Sequence, residues 1–163
     1  MSNPGSPIAS VGGSDQRPPV QFWEDYAVYE IDSGSIAAGI TNVANLTIQQ
    51  DSAFKWMKLC SFADLAGAVQ TQSSQVIPLA TLQITDLGSG RNLFSNPAPI
   101  GNIAGLMGNP LILPIPRRFK PFSQIQFTFA NFSAATTYAN IRLSMIGTKI
   151  FMGGPPANNP LGM

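Results

Sequence analysis

The feature that most constrains the fold is a strict two-residue alternation of apolar and polar side chains. It runs through residues 124–129 (QIQFTF) and, for most of its length, through residues 141–146 (IRLSMI). Alternation at this period gives a strand one apolar and one polar face, as in an antiparallel sheet with one buried side. No segment of useful length shows the apolar period of a helix. The sequence therefore predicts an all-β protein.

Short segments with strand-like composition recur along the chain and are separated by glycine- and proline-containing turns. Eight of them predict strands: 27–31, 36–48, 53–60, 75–85, 92–94, 111–115, 125–131 and 137–151. Residues 61–70 (SFADLAGAVQ) predict a single helical turn or a small loop. About eight strands favour an antiparallel two-sheet sandwich. The jelly roll is its natural eight-stranded form, and an immunoglobulin-like sandwich is the alternative.

The two ends of the chain differ in composition from its middle. Residues 1–21 and 153–163 are rich in Gly, Pro, Ser and Asn and contain few large apolar side chains. Such segments bury too little apolar surface to offset the entropy of folding, so we expect two extended arms around a β-sandwich domain at 22–152. We find neither a basic-then-apolar leader nor an apolar run of membrane length, which favours a cytosol-like compartment and no membrane partner.

Charge is sparse and unevenly distributed. Charged residues form 10% of the chain and the net charge is +1. Residues 1–53 contain six acidic residues against Arg17, whereas six cations and no acid follow Asp86. A weakly charged surface loses little hydration energy on burial, which suits a subunit covered by neighbours. The asymmetry fits an acidic partner or the acidic part of an identical neighbour, while a pI near 7.9 disfavours nucleic acid.

The residue types needed for common catalytic sites are missing or scattered. The chain has no histidine, which excludes Ser-His-Asp triads, Cys-His pairs and histidine-based metal sites. Asp51, Asp64 and Asp86 could form a glycosidase-type pair, but each has a turn or strand-end explanation. We therefore expect no enzyme, no metal and no cofactor. Cys60, the single cysteine, is predicted to lie in the core.

An aromatic cluster near the start of the predicted domain is the first candidate contact site. Phe22, Trp23 and Tyr26 are interleaved with two acidic residues. Aromatic side chains carry much of the binding energy at protein interfaces, so the cluster predicts an intersubunit anchor. A first core strand or turn is an equally good interpretation, because aromatic residues dominate cores as well.

A basic corner between prolines is the second candidate. It consists of Arg117, Arg118, Phe119 and Lys120, and it predicts a contact surface or a connection between sheets with its charges in solvent. Arg91, after the turn at 88–90, is the last candidate. It would pair with Asp86 and fix that turn, or reach a partner's carboxylate.

The order of several short motifs resembles that of the cement or decoration proteins on the capsids of tailed bacteriophages. These motifs are DSAF at 51–54, LQITD at 82–86 with GSGR at 88–91, PL at 110–111, FKPFS at 119–123 and IRLSMIGTKIF at 141–151. The resemblance implies a β-sandwich or jelly-roll protein on the virion exterior, assembled in the host bacterial cytoplasm. It implies a homo-oligomer, trimeric or dimeric, that clamps adjacent major capsid subunits. The basic corner would then meet acidic capsid surface.

Two other functions are compatible with the sequence. One is a collar or tail-associated virion component. The other is a receptor- or glycan-binding module that uses Trp23, Trp56 or Tyr138 as stacking platforms. The alternating context of Trp56, FKWMKLC, favours a place in the core for that residue.

Overall fold

The structure is a computed structural model that describes residues 22–67, 76–106 and 109–153. The predicted amino-terminal arm, and all of the carboxy-terminal tail after Gly153, lie outside the described residues. The part between them is almost entirely β-structure. Its elements are β1 (Phe22–Asp32), β2 (Thr41–Thr47), β3 (Ala53–Leu65), β4 (Ala80–Asp86), β5 (Arg91–Asn92), β6 (Ala98–Pro99), α1 (Ile100–Ile103), β7 (Gly105–Leu106), β8 (Leu111–Phe119), β9 (Gln124–Asn131) and β10 (Tyr138–Met152).

The strands form two sheets. In the first sheet the order is β1-β10-β3, and β3 pairs on its other side with β8 and, for two residues, with β7. In the second sheet the order is β2-β9-β4, and β4 then pairs with β5 and β6. All pairings are antiparallel except the short β3–β7 contact. Strands that follow one another in sequence mostly lie in different sheets, so the chain passes repeatedly from one sheet to the other.

The inward faces of the two sheets meet in one hydrophobic cluster. Most of its fully buried members come from β3 and β10 in the first sheet and from β4 and β9 in the second, and Ile36, Ile48 and Ile100 join them from outside these strands. They include Phe54, Trp56, Leu59, Ile141, Leu143, Met145, Leu82, Ile84, Ile125, Phe127 and Phe129. Along β9 every second side chain is buried, as the alternation predicts. The predicted all-β, two-sheet antiparallel sandwich is confirmed.

Several predicted boundaries differ from the structure. Residues 61–65 do not form a helical turn, because β3 continues there in register with β10. Residues 66–67 form a turn, and residues 68–70 of that predicted segment are outside the described residues. Residues 37–40 form a turn between β1 and β2. A four-residue helix, α1, occupies residues where we predicted none.

A buried asparagine joins two loops at one end of the sandwich. Asn131 Nδ2 donates to the carbonyl oxygens of Ile36 (3.3 Å), Ala37 (3.1 Å) and Thr136 (2.8 Å). Its Oδ1 accepts a hydrogen bond of 2.9 Å from the Ser133 amide. The side chain thereby links the β1–β2 and β9–β10 connections. The Ile36 and Ala37 carbonyls also accept backbone hydrogen bonds, from Tyr138 and Ile40.

Candidate interaction surfaces

The predicted aromatic cluster lies on β1, at one edge of the first sheet. Trp23 stacks on Phe151 of the neighbouring β10, with ring centroids 4.1 Å apart and an interplanar angle of 11°. Phe22 and Tyr26 point outward, and Tyr26 is 69% exposed. The cluster thus divides its roles. Trp23 packs within its own chain, whereas the other two rings are available to a partner.

β1 also carries a concentration of negative charge. Glu24, Asp25, Glu30 and Asp32 lie on this strand, which has no cation. We call β1 and its side chains the acidic edge. A groove with a volume of about 410 Å³ follows it, lined by residues 25–30 and by side chains of the adjacent strand β10 and the β2–β3 connection. The acidic edge therefore offers both charge and a recess.

Two of these carboxylates have partners within the first sheet. Glu24 Oε2 accepts a hydrogen bond of 2.8 Å from Thr148 Oγ1 and lies 3.5 Å from Lys55 Nζ. The Thr148 hydroxyl is the main reason that the pKa of Glu24 lies below its usual value, with a further contribution from the Lys55 charge. Asp32 pairs with Arg142 at 3.3 Å. The charge of the acidic edge is therefore only partly neutralised.

The basic corner lies at the opposite edge of the same sheet. Arg117, Arg118 and Phe119 form the end of β8, which extends through two prolines. Lys120 begins the turn that connects β8 to β9 of the second sheet, so the predicted connection between sheets is correct for this residue only. Prolines are tolerated there because β8 is an edge strand with a bulge, where residues 113–116 leave the pairing with β3. Ile112 and Ile115 project from β8, and Ile115 is 82% exposed. We call residues 111–120 the basic edge.

The predicted contact residues of the basic edge do not all face outward. Arg118 and Lys120 are exposed, and neither forms an ion pair with any described residue. Arg117 is half-buried, with its guanidinium carbon 6.0 Å from the Phe119 ring centroid. Phe119 itself is 3% exposed and packs beside Trp56 in the core, so it is a core residue and not a contact residue.

Arg91 does not form the expected ion pair with Asp86. The two residues face each other where β4 pairs with β5, but the Asp86 carboxylate is used by its own turn. It accepts hydrogen bonds from the Gly88 amide (3.0 Å) and from Ser89 Oγ (2.9 Å). This local arrangement satisfies the aspartate without the arginine. Arg91 is left exposed and unpaired among the described residues.

The proposed sugar-stacking platforms are mostly inaccessible. Trp56 is 2% exposed, and its indole N–H donates to the Lys58 carbonyl oxygen at 2.7 Å. Tyr138 is equally buried, and its hydroxyl accepts a hydrogen bond of 2.8 Å from the Leu79 amide. Both rings are structural. Trp23, stacked on Phe151, presents at most part of its surface.

Sequence reasoning missed the outer face of the second sheet. The register of β2, β9 and β4 brings their outward side chains together with that of Asn92, and none of them is charged. They are Thr41, Val43, Asn45, Thr47, Gln124, Gln126, Thr128, Ala130, Thr81, Gln83, Thr85 and Asn92. We call this surface the uncharged face. It could be found only once the strand order was known, since its parts are dispersed in the sequence.

An exposed aromatic residue in a strained conformation follows the basic edge. Residues 120–123 form a turn in which the Ser123 amide donates to the Lys120 carbonyl oxygen at 3.1 Å. Phe122, its third residue, has φ of +63° and is 64% exposed. The left-handed region is normally occupied there by Gly or Asn.

Cys60 is buried, and burial raises the pKa of its thiol. It lines a small recess with Glu30 and Phe62 and is not part of the central cluster. Among the described residues no group of three or more His, Cys, Asp or Glu side chains is placed to hold a metal ion. The described part of the chain likewise contains no helix long and apolar enough to cross a membrane.

Comparison of the chain with models of known protein families, with curated protein sequences and with solved structures finds no match. Function must therefore be inferred from the surfaces described above.

Proposed function

We propose that this chain is a structural, non-enzymatic protein of a tailed-bacteriophage virion that binds the outside of the capsid and stabilises it as a cement or decoration protein. Its partners in this proposal are the major capsid protein and further copies of itself. It would be assembled onto the particle in the cytoplasm of the host bacterium.

The strand order supports a jelly-roll assignment as part of this proposal. Counting β5 and β6 as one position and leaving the two-residue β7 aside gives eight strand positions. In chain order they occur as 1-8-3-6 in the first sheet and 2-7-4-5 in the second. Two sheets of four strands interleaved in this way are the arrangement of a jelly roll, an architecture that viral capsid domains use widely.

The uncharged face is the single observation that carries the proposal. Removing charged groups from water is expensive, whereas Thr, Asn and Gln side chains can exchange water for hydrogen bonds to a partner. Val43 and Ala130 add apolar contact at the level of Thr128 and Thr81. A sheet face of this kind suits a rigid protein surface that covers it permanently. Repetition over many copies on a shell would make individually weak contacts effectively irreversible.

A charge placed in the middle of the uncharged face tests the proposal. Val43 and Thr128 are neighbours across β2 and β9, so Val43→Lys/Thr128→Lys puts two cations into one contact. The control is Asn102→Lys, at an exposed position of α1 that β4 and β6 separate from the Val43–Thr128 contact in the strand order. Each protein is mixed with empty capsids of the bacteriophage that encodes the chain, and binding is measured by co-sedimentation.

We expect saturable binding of the wild-type and control proteins, and binding at least about tenfold weaker for the double variant. Capsids with bound wild-type protein should also resist heating better than bare capsids. Binding to tails or collars instead of capsids would assign the chain to those structures. Equal binding by all three proteins, or none, would overturn the role given to the uncharged face.

A further inference from the structure

The two edges of the first sheet complement each other in charge. The acidic edge holds four carboxylates, and Asp25 and Glu30 form no ion pair with any described residue. The basic edge holds Arg117, Arg118 and Lys120 and no acid. Strands β10 and β3 separate the edges, so within one molecule Arg118 acts on Glu24 only at a distance, and among the described residues no ion pair joins the two edges. Two molecules can bring the edges into contact.

The edges also match in position along the strands. Following the register across the sheet, Arg118 lies opposite Lys55, then Thr148, then Tyr26. Ile112 similarly leads through Lys58 and Ile146 to Val28. Lys120, one residue beyond the paired segment, reaches the level of Glu24. The two edges thus present complementary side chains at equal heights.

We propose that copies of this chain associate head to tail, with the acidic edge of one copy against the basic edge of the next, in a closed ring. In a ring whose axis is parallel to the strands, neighbouring copies do not shift along the axis, so groups at equal heights meet. Ile112 would then contact Val28, Arg118 would lie over the exposed Tyr26 ring, and Lys120 would approach Glu24.

The contact would be made by side chains and not by a continuous sheet. Pro114 and Pro116 lack amide donors, and the β8 bulge removes the regular row of hydrogen-bonding groups that a paired strand requires. The groove beside β1 provides room for the projecting Ile115 or its neighbours. Charged edge strands often serve merely to prevent aggregation, but that role would not require opposite charge on the second edge, nor apolar side chains at the same levels.

This inference deepens the proposed function, since it identifies the partner surface for the homo-oligomer in that proposal. It does not depend on capsid binding. The ring uses the first sheet, whereas the capsid contact was assigned to the second, so the two can fail separately.

A mixing experiment with two blocked variants tests the head-to-tail arrangement. Arg118→Glu/Lys120→Glu blocks the basic edge and leaves the acidic edge intact. Tyr26→Lys/Val28→Lys blocks the acidic edge and leaves the basic edge intact. All four positions are exposed, and circular dichroism with thermal unfolding checks that each full-length variant folds as the wild type does. Mass is measured by sedimentation equilibrium at micromolar concentrations.

We expect the wild type to be a closed oligomer and each variant alone to be a monomer, with self-association weakened at least about 100-fold by like charges at the contact. An equimolar mixture of the two variants should form a dimer with one copy of each and nothing larger, because each chain retains one usable edge. Two-fold association through other surfaces would leave both variants oligomeric and would overturn the proposal.

A monomeric wild type would also overturn it, irrespective of the capsid result. If in that case Arg118→Glu/Lys120→Glu lost capsid binding, the basic edge would be assigned to acidic capsid surface instead. Oligomerisation as expected, together with no binding to capsids, would leave the ring standing and remove the proposed function.

Discussion

Replacing Asn131 with Asp should destabilise the protein in a strongly pH-dependent way. The side-chain nitrogen Nδ2 of Asn131 faces three carbonyl oxygens at 2.8–3.3 Å, while the side-chain oxygen Oδ1 accepts a hydrogen bond from the Ser133 backbone amide. The aspartate keeps the second interaction. Its other oxygen, however, would be held against three acceptors in a site where the native side chain is 2% exposed.

The magnitude follows from counting the groups that lose partners. In Asn131→Ala, the Ser133 amide is left unsatisfied in a buried position. The Ile36 and Ala37 carbonyls still accept backbone hydrogen bonds from Tyr138 and Ile40, and the Thr136 carbonyl is only partly buried and can reach water. A buried amide without a partner costs about 1–3 kcal/mol, so we expect a loss of about 1–3 kcal/mol in the free energy of unfolding. Asn131→Asp in its protonated form should cost less, because it retains the acceptor and can donate one hydrogen bond.

The sign of the pH dependence is fixed by the same geometry. Burial and facing carbonyls disfavour the carboxylate, so the pKa of the introduced carboxyl group in folded Asn131→Asp should be raised above its unfolded value near 3.9. Stability relative to wild type is then greatest below that unfolded value. It falls as the pH rises from there through the folded pKa, by about 1.4 kcal/mol per pH unit. Urea unfolding at several pH values measures this. A difference between Asn131→Asp and wild type that does not change between pH 4 and pH 7 would refute the reasoning, and Asn131→Ala serves as the variant without a titrating group.

Three further changes test other parts of the structure. A methyl group on Gly147 would lie 2.0 Å from the Lys55 carbonyl oxygen, so Gly147→Ala should lower the free energy of unfolding in urea by about 3–5 kcal/mol. In the control Gly88→Ala the added carbon meets only an ordinary contact of 3.4 Å, so stability should change by less than about 0.5 kcal/mol. Equal effects of the two substitutions would contradict the close approach of β10 and β3. Phe122→Gly should raise the free energy of unfolding by about 0.5–1 kcal/mol, because glycine adopts φ of +63° without strain, whereas Phe122→Ala should not raise it. Identical free energies of unfolding for the two variants would exclude strain as the cause. Because the pKa of Glu24 is lowered in the folded protein, its contribution to stability is present above its unfolded pKa and is lost as the pH falls through the folded pKa. The free energy of unfolding should therefore fall less steeply with decreasing pH in Glu24→Gln than in wild type, and parallel pH dependences would contradict this.

The fold class could be read from the sequence because alternation reports burial directly. In β9 the buried residues Ile125, Phe127 and Phe129 are the apolar positions of the predicted pattern. Strand ends were harder to predict. β1 begins at Phe22 within a stretch rich in acids, and only its pairing with β10 makes it a strand. β8 continues through two prolines because an edge position removes the need for their amide donors.

The interaction surfaces could be predicted only in part, because they depend on which strands become neighbours. The sequence placed its acids early and its cations late, but that asymmetry alone does not distinguish a nucleic-acid site from a protein contact. The strand pairing turns the charge asymmetry of the sequence into a separation in space, because β1 and β8, some 80 residues apart, form the two opposite edges of one sheet. Phe119 shows the opposite error, since it lies among cations in sequence yet faces the core in the alternation of β8.

The separation of charge onto opposite edges makes the subunit directional, and a directional subunit restricts how it can assemble. A two-fold contact made through one edge alone places that edge on both sides, so an acidic edge would meet an acidic edge, or a basic edge a basic edge. Both arrangements bring like charges together, at a cost of several kcal/mol. Head-to-tail contact avoids this at every interface, and closing the chain of contacts into a ring leaves neither edge uncovered. This contact uses only the edges of the first sheet, so the uncharged face of the second sheet takes no part in it.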